Sequence, residues 1–198
     1  MSCCKENGGG CGEDEGLFEE MGGAGSPLQV GHPAPHFDEM AYVAGEFKRV
    51  RLADYAGKWV VLFFYPLDFT FVCPTEIKGF ASHEAEFNAK NAVIVGASTD
   101  SEHSHKAWFE RDLPGVKFPV LADTAHRVAR SYGVLLEDKG IALRGTFIVD
   151  PDGELKYMVV SDNNVGRSVK ETLRVLEALQ TGELCPIEWE PGSGTLGK

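Results

Sequence analysis

The stretch from Lys58 to Tyr65, Lys-Trp-Val-Val-Leu-Phe-Phe-Tyr, constrains the fold most. It is a continuous apolar run without polar alternation. Such a run reads as a strand covered on both faces, the signature of a sheet sandwiched between helices. Pro66 ends it. Seven residues on, Cys73-Pro74 opens a helical pattern, with Pro at a favoured first helical position. Ile77, Phe80, Ala81 and Phe87 then recur at helical spacing. Ala92–Ala97 reads as a second short buried strand. Ser101 to about Leu113 reads as a helix stopped by Pro114-Gly115, Val120–Ala122 as a short strand, and Thr124–Tyr132 as a short helix. Arg144–Asp150 and Glu154–Val160 read as a hairpin turned by Asp150-Pro-Asp-Gly153. Ser168 and Glu171 have capping-box spacing ahead of a helix with Val169, Leu173, Leu176 and Leu179 inward.

This order of elements predicts a single α/β domain of thioredoxin-like fold, a central mixed sheet flanked by helices. The 198 residues suffice for one domain. The predicted boundaries are a flexible acidic Gly-rich tail over 1–30, the domain over 31–181, and an irregular C-terminal segment over 182–198. The tail holds eight of the 23 glycines, six acids and one lysine, and too few apolar groups to offset its ordering entropy. A net charge of −11 argues against nucleic acid and anionic membrane surfaces as partners. No apolar run is long enough to span a bilayer, and the N-terminal Met-Ser-Cys-Cys-Lys-Glu has no apolar h-region. The expected location is therefore cytoplasmic.

The five cysteines, Cys3, Cys4, Cys11, Cys73 and Cys185, are odd in number and irregularly spaced, unlike a secreted disulfide framework. Cys73 is distinguished by position: it follows a buried strand and opens a helix, whose unpaired N–H groups and positive pole favour a thiolate. On position alone it is either a reactive thiol or a small buried packing residue. Position 76 is Glu, which removes the Cys-x-x-Cys of a dithiol exchanger. The candidate partner thiol is Cys185, 112 residues away in Gly182-Glu-Leu-Cys-Pro-Ile-Glu-Trp189, and its alternative is an inert tail thiol. The histidines follow no ligand pattern, and His103 and His105 face different directions on a helix, so no metal is expected. No phosphate loop or dinucleotide fingerprint is present, so no cofactor is expected on this chain.

The segment Phe64–Glu76 closely resembles the active-site signature of the peroxiredoxins, Pro-x-x-x-Thr-x-x-Cys, filled by Pro66, Thr70 and Cys73. Ser98–Ser101 with His105–Trp108, Arg144–Asp150, Gly166–Ser168, and Leu184–Pro186 with Trp189 also resemble the family. The resemblance spans roughly residues 28–196 and is closest to the typical two-cysteine class, which includes the peroxidase component of alkyl hydroperoxide reductases. It implies a thiol peroxidase. Cys73 would be the peroxidatic cysteine, oxidised to a sulfenic acid by hydrogen peroxide or an organic hydroperoxide. Cys185 would be the resolving cysteine, acting across a homodimer, with dimers assembled into rings. A thioredoxin or a flavoprotein disulfide reductase would regenerate the thiols, any flavin residing on that partner.

A magnitude shows why a cysteine alone is not enough. An ordinary thiol of pKa about 8.5 is only ~3% ionised at pH 7, and lowering the pKa to about 6 gains roughly 30-fold in thiolate. The accompanying fall in nucleophilicity gives back roughly 10–18-fold. A fast peroxidase must therefore stabilise charge growing on the departing oxygen. The resemblance assigns this to Thr70 and Arg144, with Pro66 excluding water and Glu76 and Arg167 positioning Arg144. Taken alone, Thr70 could serve a local turn, Arg144 an outward strand position, Glu76 a first-turn acid and Arg167 a solvated loop charge.

Two departures from eukaryotic peroxide-sensitive members stand out. Their Gly-Gly-Leu-Gly insertion is missing near Leu113–Val116, and so is their C-terminal Tyr-Phe helix. Both imply resistance to overoxidation. The same thiol chemistry would also serve a peroxide sensor and relay, or a holdase chaperone, which is the alternative function.

Overall fold

The computed structural model describes residues 28–198. Cys3, Cys4, Cys11 and nearly all of the expected tail lie outside the described residues, although Leu28 already packs against the core.

The apolar run becomes β3 (Trp59–Phe64), a central strand of a seven-stranded sheet. Its side chains alternate as a strand buried on both faces must. Val61 and Phe63 point into one core cluster with Tyr65, while Val60, Leu62 and Phe64 point into the other. β4 (Ala92–Ser98) pairs parallel to β3, and β5 (Val120–Ala122) parallel to β4. β8 (Arg144–Val149) and β9 (Leu155–Ser161) form the expected hairpin, with β8 antiparallel to β3. With β1 (Asp38–Val43) and β2 (Glu46–Arg51) at one edge, the sheet order is β2-β1-β5-β4-β3-β8-β9.

α1 (Cys73–Ala89), α2 (Glu102–Asp112) and α4 (Val169–Thr181) supply the first cluster with Phe80 and Phe87, Trp108 and Phe109, and Leu173 and Leu176. α3 (Arg127–Ser131) and the short ribbon of β6 (Leu135–Leu136) with β7 (Ile141–Ala142) lie over the second. α1 and α4 run side by side in the same direction. A Cβ at Gly79 would lie 3.2 Å from Val169 Cγ2, while Lys90 pairs with Glu177 at the far end.

Several elements differ from the sequence reading, the short β6–β7 ribbon among them. β1 (Asp38–Val43) and β2 (Glu46–Arg51) form a hairpin that was not anticipated. Every β2 residue except Val50 is exposed, so the strand carries no apolar alternation to reveal it. Its turn is Ala44-Gly45, both at positive φ, as a tight hairpin requires. The helix expected over Thr124–Tyr132 starts later. The buried Asp123 carboxylate accepts from the backbone N–H groups of Val128 and Ala129, capping α3 from outside it while 124–126 turn. Ser168 caps α4 as its spacing suggests, its hydroxyl accepting from Glu171 N at 3.1 Å.

Candidate active site

Everything that bears on Cys73 converges at the C-terminal end of β3. Pro66, buried, closes the strand, and residues 66–72 loop back to α1. Asp68 anchors this loop. Its carboxylate accepts from the Tyr65 hydroxyl (2.9 Å) and the Ser104 hydroxyl (2.7 Å) and lies 2.9 Å from His105 Nδ1, while its own N–H donates to Asp100. Burial, aided by the Asp68 charge, pushes the Tyr65 phenol well above its ordinary pKa. The sequence placed His105 in the family resemblance and weighed its side chain only as a metal ligand, and gave Asp68 no role, since nothing local reveals the contacts of Asp68 with Ser104 and His105 some forty residues away.

Cys73 is the first residue of α1, with Pro74 beside it, and is fully buried. Val72, the N-cap, makes no side-chain cap. The thiol therefore sits at the positive pole of the helix with no carboxylate at the cap, while the Thr75 and Glu76 amides donate to the Val72 carbonyl. Glu76, one turn on, lies on the same helical face.

Arg144 opens β8, directly across from the end of β3. Its Nη1 donates to Cys73 Sγ at 3.4 Å and to Glu76 Oε2 at 2.5 Å, and its Nε donates to the Asn163 carbonyl at 2.9 Å. Arg167 completes the cluster. Its backbone N and Nε each reach Glu76 Oε1 at 2.9 Å, Nη1 reaches the Gly145 carbonyl at 2.7 Å, and Nη2 reaches the Phe64 carbonyl. Its guanidinium lies over the Phe63 ring, 5.3 Å from the centroid. Burial pulls the Arg167 pKa below its ordinary value, and the Glu76 carboxylate opposes that shift.

The side chains of Glu76, Arg144 and Arg167 are only 3–5% exposed. Two buried guanidiniums share one carboxylate, leaving one positive charge uncompensated. The Cys73 sulfur lies 3.4 Å from one of these guanidiniums, so an anion formed there during reaction would meet that charge.

Thr70 is half-buried, and its hydroxyl donates to the Leu67 carbonyl at 3.0 Å, the local-turn bond its residue type allows. With its proton so placed, Oγ1 offers lone pairs. Cys185 stands apart from the cluster. It is half-buried, its Sγ 3.5 Å from Thr181 Oγ1, beside a cavity of about 560 Å³ shared with Trp59, Lys156 and Arg174. Trp59 opens β3, whereas Cys73 lies past its end. Six residues of strand, roughly 20 Å, therefore separate the two thiols' surroundings. Both thiols are free. Among the described residues, no group of three or more His, Cys, Asp or Glu could hold a metal, and no helix is long and apolar enough to cross a membrane.

The profile of the AhpC/TSA family matches residues 30–158, most of the chain. This chain belongs to that family, the peroxiredoxins. Peroxiredoxin prdx-2 of Caenorhabditis elegans is 54% identical over 176 residues, covering 84% of this chain and 88% of that one. Peroxiredoxin tpx1 of Schizosaccharomyces pombe is 51% identical over 178 residues, covering 85% and 93%. The reduced 2-Cys peroxiredoxin of Plasmodium vivax superposes with a TM-score of 0.82 at 35% identity, covering 85% and 93%. AhpC of Mycobacterium tuberculosis gives 0.75 at 40% identity, covering 83% and 99%. As a peroxiredoxin the protein is a thiol-dependent peroxidase with the thioredoxin-like fold, and the relay and chaperone readings are not favoured.

Proposed function

We propose that this peroxidase reduces hydrogen peroxide and organic hydroperoxides through Cys73, and that Cys185 of the partner subunit resolves the product. The carrying observation is the 3.4 Å contact from Arg144 to the Cys73 sulfur, with Arg144 itself locked by Glu76 and the Asn163 carbonyl.

The thiolate attacks the terminal peroxide oxygen. The S–O bond forms as the O–O bond breaks, and the departing oxygen leaves with the electron pair and takes a proton to become water or an alcohol. Arg144 supplies a fixed donor beside that charge, and Thr70 Oγ1 accepts the hydroperoxide's O–H, which sets the substrate in line. Prearranged donors of this kind lower the barrier because they need no reorganisation during the reaction. Pro66 walls the site. Cys73 is left as a sulfenic acid. The Cys185 thiol then attacks that sulfur, releasing water and closing a disulfide.

The two thiols of one chain lie at opposite ends of β3. A disulfide needs Cα atoms within about 7 Å, so bonding across two chains is the more direct route. The buried Cys73 must also leave its pocket for any second sulfur to meet it. β9 is a sheet edge with Met158, Val159 and Val160 exposed, a surface suited to pairing with a second copy. Leu67, Phe69 and Phe71, the last 96% exposed, form a second apolar patch beside the active-site loop, suited to joining dimers into a ring. The relatives named thioredoxin peroxidase support a thioredoxin-type dithiol as reductant, with a flavoprotein disulfide reductase as the other candidate. The cytoplasm fits a protein that works with free thiols.

A non-reducing gel after brief peroxide exposure tests this. Wild type is expected to form a covalent dimer, and Cys73→Ser and Cys185→Ser are not. Turnover persisting in Cys73→Ser overturns the assignment.

A further inference from the structure

The Cys185 sulfur faces its own α4, 3.5 Å from Thr181 Oγ1 and 3.8 Å from the Ala178 carbonyl. To bond a sulfur of a second chain it has to leave that seat. The turn that follows holds it there. Trp189 N donates to the Pro186 carbonyl at 3.2 Å, which closes the turn. The Trp189 side chain is only 5% exposed, whereas Leu184, Ile187 and Leu196 are exposed, so the apolar anchoring of this segment rests on Trp189. Arg174 fixes it from α4. Its Nε and Nη2 donate to the Glu171 carboxylate at 2.7 and 2.8 Å, and its Nη1 donates to the Trp189 carbonyl at 2.8 Å. Arg174 and Glu188 both line the Cys185 cavity.

The same seat carries two costs. The Trp189 Nε1–H is buried and has no hydrogen-bond partner among the described residues, whereas water satisfies it once the ring undocks. Glu188 has a left-handed backbone, φ 55°, a conformation that residues other than glycine adopt under strain. Both costs belong to the docked turn alone.

We infer that this turn is a latch on the resolving cysteine and that Arg174 is its positioning residue, which rests on the proposed role of Cys185. The guanidinium–carbonyl bond and the buried indole hold Cys185 against α4. The unpaired donor and the left-handed Glu188 bring the closed latch nearer in free energy to the open one. Opening frees Cys185 to reach the sulfenic acid formed at Cys73 of the partner subunit. The latch lies at the Cys185 end of the sheet, away from the Cys73 cluster, so it acts on the resolving step and not on the peroxide step.

The test mixes the full chain with one equivalent of hydrogen peroxide and quenches samples by alkylation at intervals. Remaining peroxide is read alongside the covalent dimer on non-reducing gels. Arg174→Met keeps the aliphatic stem and removes all three bonds. Relative to peroxide loss, it should close the disulfide about fivefold faster than wild type, the rate equivalent of one net hydrogen bond. Arg174→Lys, which returns a donor to the carbonyl, should move the rate back toward wild type. Glu188→Asn suits a left-handed backbone better, so it should close the disulfide more slowly than wild type. Opposite shifts in Arg174→Met and Glu188→Asn are not expected of residues that only add stability. Wild-type closing rates in both variants, or a slower rate in Arg174→Met, overturn the inference and leave the proposed function standing. A covalent dimer that forms as readily in Cys185→Ser overturns both.

Discussion

Glu76 holds the site together by facing two guanidiniums at once. Its replacement by Gln keeps the shape and removes the charge, leaving Arg144 and Arg167 buried against each other. Breaking a buried ionic network from one side costs about 3–5 kcal/mol. Glu76→Gln should therefore lower the denaturation midpoint markedly, and it should slow peroxide consumption because Arg144 loses its anchor. Arg144→Lys tests geometry instead of charge. An ammonium is a point donor, and it does not reach the sulfur, the Glu76 carboxylate and the Asn163 carbonyl together as the planar fork does. Losing one such donor costs about 10²–10³ in rate. Stopped-flow peroxide kinetics should show a fall of that order with the circular dichroism unchanged. A Lys variant at wild-type rate would remove Arg144 from the mechanism.

At the scale of elements, β8 sets the distance between the guanidiniums and the helix start. Gly145 lies between Arg144 and the core, and its carbonyl holds Arg167. A Cβ there would lie 2.7 Å from both Phe147 Cε2 and Val134 Cγ1. Gly145→Ala forces one of these to move, an overpacking that costs about 1–3 kcal/mol. Urea denaturation should show that loss, and the displaced strand should also reduce the peroxide rate. On α4, Ser168→Ala removes the hydroxyl that accepts from Glu171 N. The expected effect is a loss of about 1 kcal/mol in stability with peroxide kinetics little changed, because the cap touches none of the reacting groups.

For the whole molecule, the proposed resolution of Cys73 by Cys185 of a second copy would make assembly part of the chemistry. Val159→Asp on the β9 edge should give monomers in analytical ultracentrifugation. That variant should still lose its first equivalent of peroxide but form no covalent dimer. Phe71→Glu alters a different patch and should leave dimers intact while removing larger assemblies. A covalent dimer formed at full rate by Val159→Asp would place the subunit contact elsewhere.

The central strands, the helix that begins at Cys73, the β8–β9 hairpin and α4 were legible because each carries its own periodicity or cap. The β1–β2 hairpin was not, because its outer strand is solvated and held by backbone pairing that any side chain permits. Cys73 was legible as a helix-start thiol after a buried strand, and the resemblance to the peroxiredoxins pointed to Thr70, Arg144, Glu76 and Arg167. The structure brings Cys73, Arg144, Glu76 and Arg167 into one hydrogen-bonded cluster and turns the Thr70 hydroxyl to its own loop. The anchoring of that loop by Asp68, Ser104 and His105 and the Asn163 carbonyl behind Arg144 left no local signal. Periodicity, caps and breakers act between near neighbours in the chain, so the order of residues alone determined the central elements and placed Cys73 at a helix start. Charge balance around a buried sulfur depends on groups 68 to 91 residues apart, and only the folded sheet decides which of them meet.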